Sequence, residues 1–277
     1  MPELIELDFV LSDTPPPLNT LFCFPNLYHL TLHSDYPGPV SRLLSQTQLP
    51  VITEFSAEIA ACLSKEQLSA FWAGFQASIT GSALRSFTLN QSSCLPNFII
   101  RLETHPLGLE DLRPCKDFRN LRCLQFDLEW NVGLKESELL ALASAWPHLE
   151  DLSINSHSGW DMPGGITPNG LLQLFQKCQS ISHIAIVIDT RGYTEPPTIG
   201  LLESLGWTAR LISVNVLNSA IEAESVQALA AFFARKGSSV VAIHSELTKS
   251  SPGLEVYEKR WDEVDKRAWP HRAGQHS

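Results

Sequence analysis

The chain has 277 residues, 44% of them hydrophobic, and a formal net charge of -10 at pH 7. Its length fits one large or two ordinary folded domains, and its acidity argues against a nucleic-acid binder, because phosphate binding needs clustered Lys and Arg. The sequence has no basic segment followed by an apolar run at its start and no apolar run of about 18 residues. We therefore expect a cytoplasmic or nuclear protein with no membrane partner.

One phrase of apolar residues spaced LxxLxL recurs along the chain, most clearly in FPNLYHLTLH at 24–33 and WPHLEDLSIN at 146–155. The last two residues of each triplet alternate with polar ones, which predicts a short strand buried on one side. In chain order, the nine triplets are Leu4/Leu7/Phe9, Leu27/Leu30/Leu32, Ile52/Phe55/Ala57, Leu84/Phe87/Leu89, Leu121/Leu124/Phe126, Leu149/Leu152/Ile154, Ile181/Ile184/Ile186, Leu211/Val214/Val216 and, weakly, Val240/Ile243/Ser245.

Segments with helical spacing lie between these strands, and we expect helices at 65–79, 135–146, 168–178 and 222–236. Ser64 precedes the first of them, and Thr167-Pro168 supplies an N-cap followed by proline at the first helical position of the third. A final amphipathic segment at 254–269 places Leu254, Tyr257, Trp261 and Val264 at helical spacing. The order of elements is therefore strand, helix, strand, helix, with a helix last.

Two architectures fit this order: an open or barrel α/β enzyme, and a leucine-rich-repeat solenoid. Strands covered by helices on both faces read as nearly continuous apolar runs. Here the alternate residues are mostly polar, as in His29/Thr31/His33, Glu54/Ser56/Glu58, Ser86/Thr88/Asn90, Cys123/Gln125/Asp127 and Asp151/Ser153/Asn155. One sheet face is therefore exposed to solvent. This favours an irregular solenoid over an α/β enzyme whose sheet is covered by helices on both faces.

We expect this α/β solenoid to have a curved parallel sheet on its concave side and helices on its convex side. It should span residues 1–250 with about eight to nine repeats, the exact number between Leu84 and Leu121 being open, and 251–277 should form a C-terminal capping helix and tail. The apolar stretch ISHIAIVID at 181–189 is an exception to the alternation. Taken alone it fits a fully buried strand; alternatively, it marks a place where a loop or a partner covers the concave face.

The succession of phrases LRPCKDFRNLRCLQFD, SAWPHLEDLSI, ITPNGLLQLFQKC and IAIVIDTRGYTEPP, with Trp160 in a loop between the second and third, resembles the leucine-rich-repeat region of F-box proteins of mushroom-forming fungi. The resemblance is clearest over about 107–235. It implies substrate reception: in that family the repeats hold a target protein, while an N-terminal F-box docks onto a Skp-type adaptor and a cullin ubiquitin ligase.

The first repeat begins at Leu4, which leaves no room ahead of it for the helical F-box. We therefore expect coupling to the adaptor and ligase only if an F-box is supplied elsewhere. The first strand also lacks a cap, and an uncapped solenoid end exposes an apolar core and a strand edge to water.

The sequence contains no catalytic, phosphate-binding or metal-binding motif that we recognise, so we expect a non-catalytic protein without cofactor or metal. His29 and His33 would lie about 13 Å apart along a strand, which is too far for one metal ion. The segment DTRGYTEPP at 189–197 suits an inter-repeat loop better than a phosphate site, and we expect Trp160 to pack against a neighbouring repeat. The six scattered cysteines suggest buried or half-buried free thiols.

No predicted outward position carries Lys or Arg, whereas several carry acids or histidines. We expect these residues to bind a protein target, possibly through a basic segment of it. A solvated face without a partner is an equally open alternative. The candidate binding residues are Glu6, Asp8, His29, His33, Glu54, Glu58, Asp127, Asp151, His183, His244 and Glu246.

Two other functions remain open from the sequence. An α/β enzyme would need polar groups that converge in one pocket, whereas the acids here are spread over successive strands. A non-functional family remnant would fold poorly because its first repeat is uncapped.

Overall fold

The computed structural model describes residues 4–12, 21–79, 83–92, 106–128, 130–157, 160, 165–196, 213–234, 242–244 and 254–269. The fold is α/β, as the sequence predicts, and is built around one parallel sheet. Within these residues, no helix is both long enough and apolar enough to cross a membrane.

The strands and helices alternate along most of the chain. The strands are β1 (Glu6–Leu11), β2 (Phe22–Cys23), β3 (His29–Ser34), β4 (Thr47–Gln48), β5 (Glu54–Ile59), β6 (Ser86–Gln91), β7 (Cys123–Asp127), β8 (Asp151–Ile154), β9 (His183–Ala185), β10 (Ser213–Asn215) and β11 (Ala242–His244). The helices are α1 (Pro37–Ser45), α2 (Lys65–Ser78), α3 (Leu109–Leu112), a 3-10 turn at Arg113–Asp117, α4 (Glu136–Ala143), α5 (Pro168–Lys177), α6 (Ser225–Phe233) and α7 (Leu254–Ala268).

Nine strands form the main sheet in the order β1-β3-β5-β6-β7-β8-β9-β10-β11, and β2 pairs with β4 in a separate ribbon. Each main-sheet strand therefore lies beside the next main-sheet strand along the chain. In the described part of the chain the sheet is open, with β1 and β11 as its edges. Strand β6 pairs directly with β7, so no additional strand lies between them in the sheet.

The strand register stacks the apolar anchors of successive strands into rows. One row consists of Leu7, Leu30, Phe55, Phe87, Leu124, Leu152, Ile184, Val214 and Ile243. In strands β3, β5 and β6, buried residues alternate with partly or fully exposed ones along the whole strand. The predicted one-sided burial is therefore confirmed for these strands.

Helices cover the apolar face of the sheet. The ring of Phe55 on β5 lies 4.5 Å from that of Phe75 on α2, and Phe87 on β6 lies 5.1 Å from Trp72 on α2. Stacking between aromatic side chains adds to the free energy gained by removing their area from water. This aromatic layer fixes α2 over β5 and β6.

The predicted helix starts are confirmed at α2 and α5. The Ser64 hydroxyl accepts a hydrogen bond from the Gln67 N–H, and the Gln67 side chain accepts one from the Ser64 N–H. The Thr167 hydroxyl accepts from the Gly170 N–H, and Pro168 occupies the first helical position. Both caps satisfy amide groups that a helix start leaves without an intrahelical partner.

Buried tryptophans join segments that are far apart in sequence. The indole N–H of Trp72 donates to the Asp111 carbonyl at 2.8 Å, and that of Trp146 donates to the Cys115 carbonyl at 2.9 Å. Trp130 donates to Leu63 and Trp261 on α7 to Ser219 in the same way, so Trp261 ties the last helix to the chain after β10. Trp160 is also buried, although its indole N–H donates to Ile154, only six residues away. Its backbone forms two hydrogen bonds with Asn218 after β10, so this segment packs against a later part of the chain.

The alternation of exposed and buried residues ends with β8, so Asn155, the next residue, does not face solvent as expected. This residue is fully buried, and its φ of 51° turns the chain out of the strand. Its side chain accepts from the Leu128 N–H at 2.9 Å and donates to the Trp130 carbonyl at 2.6 Å. The amide therefore satisfies backbone groups of the preceding segment instead of facing water.

The apolar stretch at 181–189 is covered by a loop of the same chain. Val187 is buried, and its carbonyl accepts a hydrogen bond from the Ile166 N–H at 3.1 Å. A Cβ at Gly165, whose φ is 131°, would lie 2.4 Å from that carbonyl oxygen. Only glycine allows the loop to approach so closely.

Candidate protein-binding surface

The face of the sheet opposite the helices carries polar side chains in register. We call it the open face; its described members are Glu6, Asp8, Val10, His29, Thr31, His33, Glu54, Ser56, Glu58, Ser86, Thr88, Asn90, Cys123, Gln125, Asp151, Ser153, His183, Ala185, Ser213 and Asn215. Each is exposed or half-buried, and none of these described members is Lys or Arg. The face therefore offers hydrogen-bond acceptors and negative charge to water.

Three adjacent strands bring acids and histidines together at one end of this face. His33 on β3 bridges two carboxylates, with Nε2 3.3 Å from Asp8 of β1 and Nδ1 3.1 Å from Glu58 of β5. Nδ1 of His29 lies 3.0 Å from Glu54. We call these five residues the histidine–carboxylate cluster. The parallel register causes the two contacts between β3 and β5, because His29 lies opposite Glu54 and His33 opposite Glu58. Asp8 lies opposite Thr31 and reaches His33 diagonally.

The side chains of the histidine–carboxylate cluster remain accessible to a partner. Exposed fractions are 68% for Asp8, 57% for Glu54 and 47% for Glu58. Glu6 is also exposed and lies opposite His29 in the register. The sequence-predicted residues of β1, β3 and β5 are thus gathered in one patch with four carboxylates.

A second acidic position lies three strands from β5. Asp151 on β8 is half-buried between Cys123 of β7 and His183 of β9, which is exposed. Burial raises the pKa of the Asp151 carboxyl above its ordinary value, and the nearby His183 opposes this rise. A carboxylate that has lost part of its hydration gains more from an approaching cation than a fully hydrated one does.

Asp127, predicted to lie on the accessible face, is buried. Its side chain is 6% exposed and accepts hydrogen bonds from the Ser156 hydroxyl at 2.9 Å and the His157 N–H at 2.8 Å. Nδ1 of His157 also contacts it. The turn that follows β8 closes over the end of β7, so Asp127 ties neighbouring segments together and is removed from the candidate surface.

Two candidate residues at the far edge have no described side chain. The backbone of His244 lies opposite Asn215 in the β10–β11 register, which places it in the same row as Asp8 and Thr31. Glu246 lies outside the described residues, as do the anchors Leu211, Val240 and Ser245.

The loop at 189–197 has a structural role as far as it is described. The Arg191 guanidinium donates two hydrogen bonds to Asp189 at 2.8 and 2.6 Å and holds the pKa of that carboxyl below its ordinary value. Gly192 turns the chain at a φ of 68°, and Tyr193 packs edge-on against Phe232 of α6. The arginine is therefore already paired within its own loop.

Five cysteines are described, and none of these five forms a disulfide bond. Cys115 and Cys178 are buried and Cys123 is half-buried, as the sequence indicates, whereas Cys23 and Cys62 are exposed. Burial raises the pKa of Cys178 to about 12 and that of Cys123 to about 11. The described residues contain no group of three or more His, Cys, Asp or Glu side chains that could hold a metal ion.

An apolar cavity beside β1 is a second surface feature, which the candidate residues did not include. Its volume is about 420 Å³, and Leu7, Phe9, Phe22, Phe24 and Leu43 are among its lining residues. Phe9 is 46% exposed, so the cavity opens to solvent beside β1.

No protein-family model matches this sequence, and a search of curated proteins finds no match.

Proposed function

We propose that the chain is a non-catalytic protein-binding module built as an irregular leucine-rich-repeat solenoid, with its open face on the concave side. The sequential parallel order of nine strands supports this architecture, because stacked repeats place each strand beside the next one in the chain. In the described ranges, the same order leaves one sheet face free of helices. A partner can therefore contact side chains from many repeats at once.

The observation that carries the proposal is the charge of the open face. Glu6, Asp8, Glu54 and Glu58 are gathered on three neighbouring strands, and Asp151 extends the acidic surface to β8. The preferred partner is a basic segment of another protein, because lysine or arginine can replace the water that these carboxylates lose on binding.

The resemblance to F-box substrate receptors supports a role in selecting proteins for ubiquitination, in the cytoplasm or the nucleus. In that role the open face binds the target. A Skp-type adaptor and cullin ligase take part only where an F-box is supplied by another segment or protein.

The proposal is tested by affinity capture from source cells with three versions of the chain, followed by mass spectrometry. The first is the wild type, and the second carries Glu54→Lys and Glu58→Lys on the open face. The third carries Glu255→Lys and Asp262→Lys on the exposed surface of α7, which changes net charge equally at another place. Urea unfolding confirms that all three are folded.

We expect proteins with basic segments that the wild type and the α7 variant recover but the open-face variant does not. For each purified partner, the open-face variant should bind about tenfold more weakly, since charge reversal replaces attraction by repulsion. Recovery of a Skp-type adaptor would establish the receptor role. An unchanged set of partners with the open-face variant would remove the open face as the binding surface.

A further inference from the structure

Strand β1 is an edge of the main sheet. The backbone N–H and C=O groups of three of its residues point away from β3. The His29 N–H donates to the Ile5 carbonyl at 3.1 Å, so Ile5 faces β3. Backbone groups alternate in direction along a strand, so those of Glu6, Asp8 and Val10 face away from β3. In the described part of the chain, β3 is the sole strand partner of β1.

The two faces of β1 differ in chemistry. On the helix side, Leu7 and Phe9 line the apolar cavity of about 420 Å³. On the open face, Glu6 and Asp8 are exposed, and Asp8 contacts His33. An incoming strand at this edge would therefore meet an apolar cavity with one set of side chains and carboxylates with the other.

We infer that β1 accepts an added strand from a partner protein, and that this strand alternates apolar and basic residues. Main-chain hydrogen bonds to Glu6, Asp8 and Val10 supply affinity, as in other cases of strand addition to a sheet edge. The apolar side chains enter the cavity, while lysine or arginine side chains lie beside Glu6 and Asp8. Side chains directly across neighbouring strands are close enough for opposite charges to attract.

The charges on β1 argue against a second copy of this chain as the occupant. Pairing β1 with β1 of another copy would place Glu6 and Asp8 near the same acids of the partner. Like charges on neighbouring strands destabilise a sheet. A basic alternating strand has the opposite, complementary pattern.

This edge site shares Glu6 and Asp8 with the proposed open-face surface, but it also uses the backbone of β1 and the cavity on the helix side, which binding across the open face does not use. Strand pairing with β1 can therefore be tested apart from charge attraction to the open face. Glu255→Lys with Asp262→Lys serves as a control, because both residues are exposed on α7, outside the open face and β1.

The probe is a fluorescein-labelled heptapeptide that alternates lysine and valine, with lysine at both ends, and binding is measured by fluorescence anisotropy. A peptide of the same composition with its lysines in one block is the control for charge alone. We expect the alternating peptide to bind about tenfold more tightly, equivalent to about 1.4 kcal/mol. The α7 variant should leave this difference unchanged.

Two N-methylated peptides test strand pairing on the wild-type chain. If the added strand runs parallel to β1, its valine amides face β1, whereas in an antiparallel strand its lysine amides do. Methylating all amides of one residue type should therefore abolish binding, and methylating the other type should preserve it. The residue type whose methylation abolishes binding also shows whether the added strand runs parallel or antiparallel to β1.

Variants of β1 test the protein side. Val10→Pro removes an outward N–H without touching the β3 ladder, and should weaken the alternating peptide about tenfold relative to Val10→Ala, since proline cannot donate. The double variant Glu6→Lys with Asp8→Lys should bind a peptide that alternates glutamate and valine more tightly than the lysine–valine peptide.

The inference is overturned if both N-methylated peptides bind as tightly as the parent, or if the block peptide binds equally well. A dimer of the peptide-free chain that Val10→Pro abolishes would likewise overturn it, in favour of self-pairing.

Discussion

Asn155 shows how one side chain can join two segments of the stack. It is fully buried, and its amide both accepts from Leu128 and donates to Trp130. Asn218 does the same for Trp160, accepting from its N–H at 2.9 Å and donating to its carbonyl at 2.6 Å. An amide side chain is suited to this position because it has both a donor and an acceptor.

Asn155→Asp should destabilise the protein by about 3 kcal/mol, because the new carboxylate keeps its bond to the Leu128 N–H but places a second oxygen against the Trp130 carbonyl. The measurement is the free energy of unfolding in urea. Asn90→Asp is the matched control: it adds the same charge on the open face, where Asn90 is half-buried. Equal losses in the two variants would show that charge alone is responsible.

The two perturbed aspartates should affect stability with opposite dependence on pH. The folded-state pKa of Asp151 is raised by burial, so ionising it costs folding free energy. Relative to wild type, Asp151→Asn should gain stability as pH rises from about 3.8 through the higher folded pKa. Urea unfolding at a series of pH values measures this gain.

Asp189 supplies the opposite case. Its folded-state pKa is lowered by the Arg191 hydrogen bonds, so its stabilisation is present above the ordinary pKa and is lost as pH falls through the folded one. Asp189→Asn should therefore be less stable than wild type at neutral pH and equal to it in acid. If the stability of both variants relative to wild type changed in the same direction with pH, the assigned pKa shifts would be contradicted.

At the scale of the element, the capping box of α2 predicts a measurable loss of stability on substitution. Ser64→Ala removes the hydroxyl that accepts from Gln67 and should cost about 1 kcal/mol. Ser69→Ala, at an exposed position inside the same helix, should be neutral or slightly stabilising because alanine favours helix. Thermal unfolding of the two variants compares them, and equal melting temperatures would contradict a role for the cap.

Strands and helices whose apolar residues recur at a regular spacing were predictable from the sequence. The alternation in β3, β5 and β6 identified both their strand conformation and their wet side, and the capping residues Ser64 and Thr167 located two helices. Helix α1 was not predicted because Pro37, Gly38 and Pro39 resemble a turn. The helix tolerates them since its first turn needs no intrahelical N–H donor.

The limits of the candidate surface were less predictable. Asp127 and Asn155 both fit the outward pattern, yet each lies at the end of a strand and is buried. Their burial depends on turns that pass over the strand ends, and a period-two pattern contains no information about such tertiary closure. The apolar cavity similarly depends on Phe22 and Phe24, neither of which belongs to an LxxLxL triplet.

At the scale of the whole molecule, cysteine reactivity should report whether the middle of the core, around Trp146, is closed. Native protein treated with iodoacetamide should be labelled at Cys23 and Cys62, because they are exposed. Cys115 and Cys178 should remain unlabelled until denaturant is added, since burial hinders access and raises their pKa values away from the reactive thiolate form. Mass spectrometry of peptide fragments identifies the labelled positions.

Cys115 follows α3 and Cys178 follows α5, and both contact Trp146 of the segment between them. Simultaneous exposure of both thiols in rising urea would indicate that these three segments unfold as one cooperative unit, which would count against a poorly folded remnant. Labelling of both without denaturant would instead show that the core is open.

The regular spacing of the parallel strands also fixes the distances between the acids on the open face. Glu54 on β5 and Asp151 on β8 belong to the same register row, with Ser86 and Cys123 between them. Three strand spacings separate these acids by about 14 Å, which an extended chain covers in about four residues. A peptide crossing the strands at right angles would therefore reach both carboxylates with basic residues four positions apart.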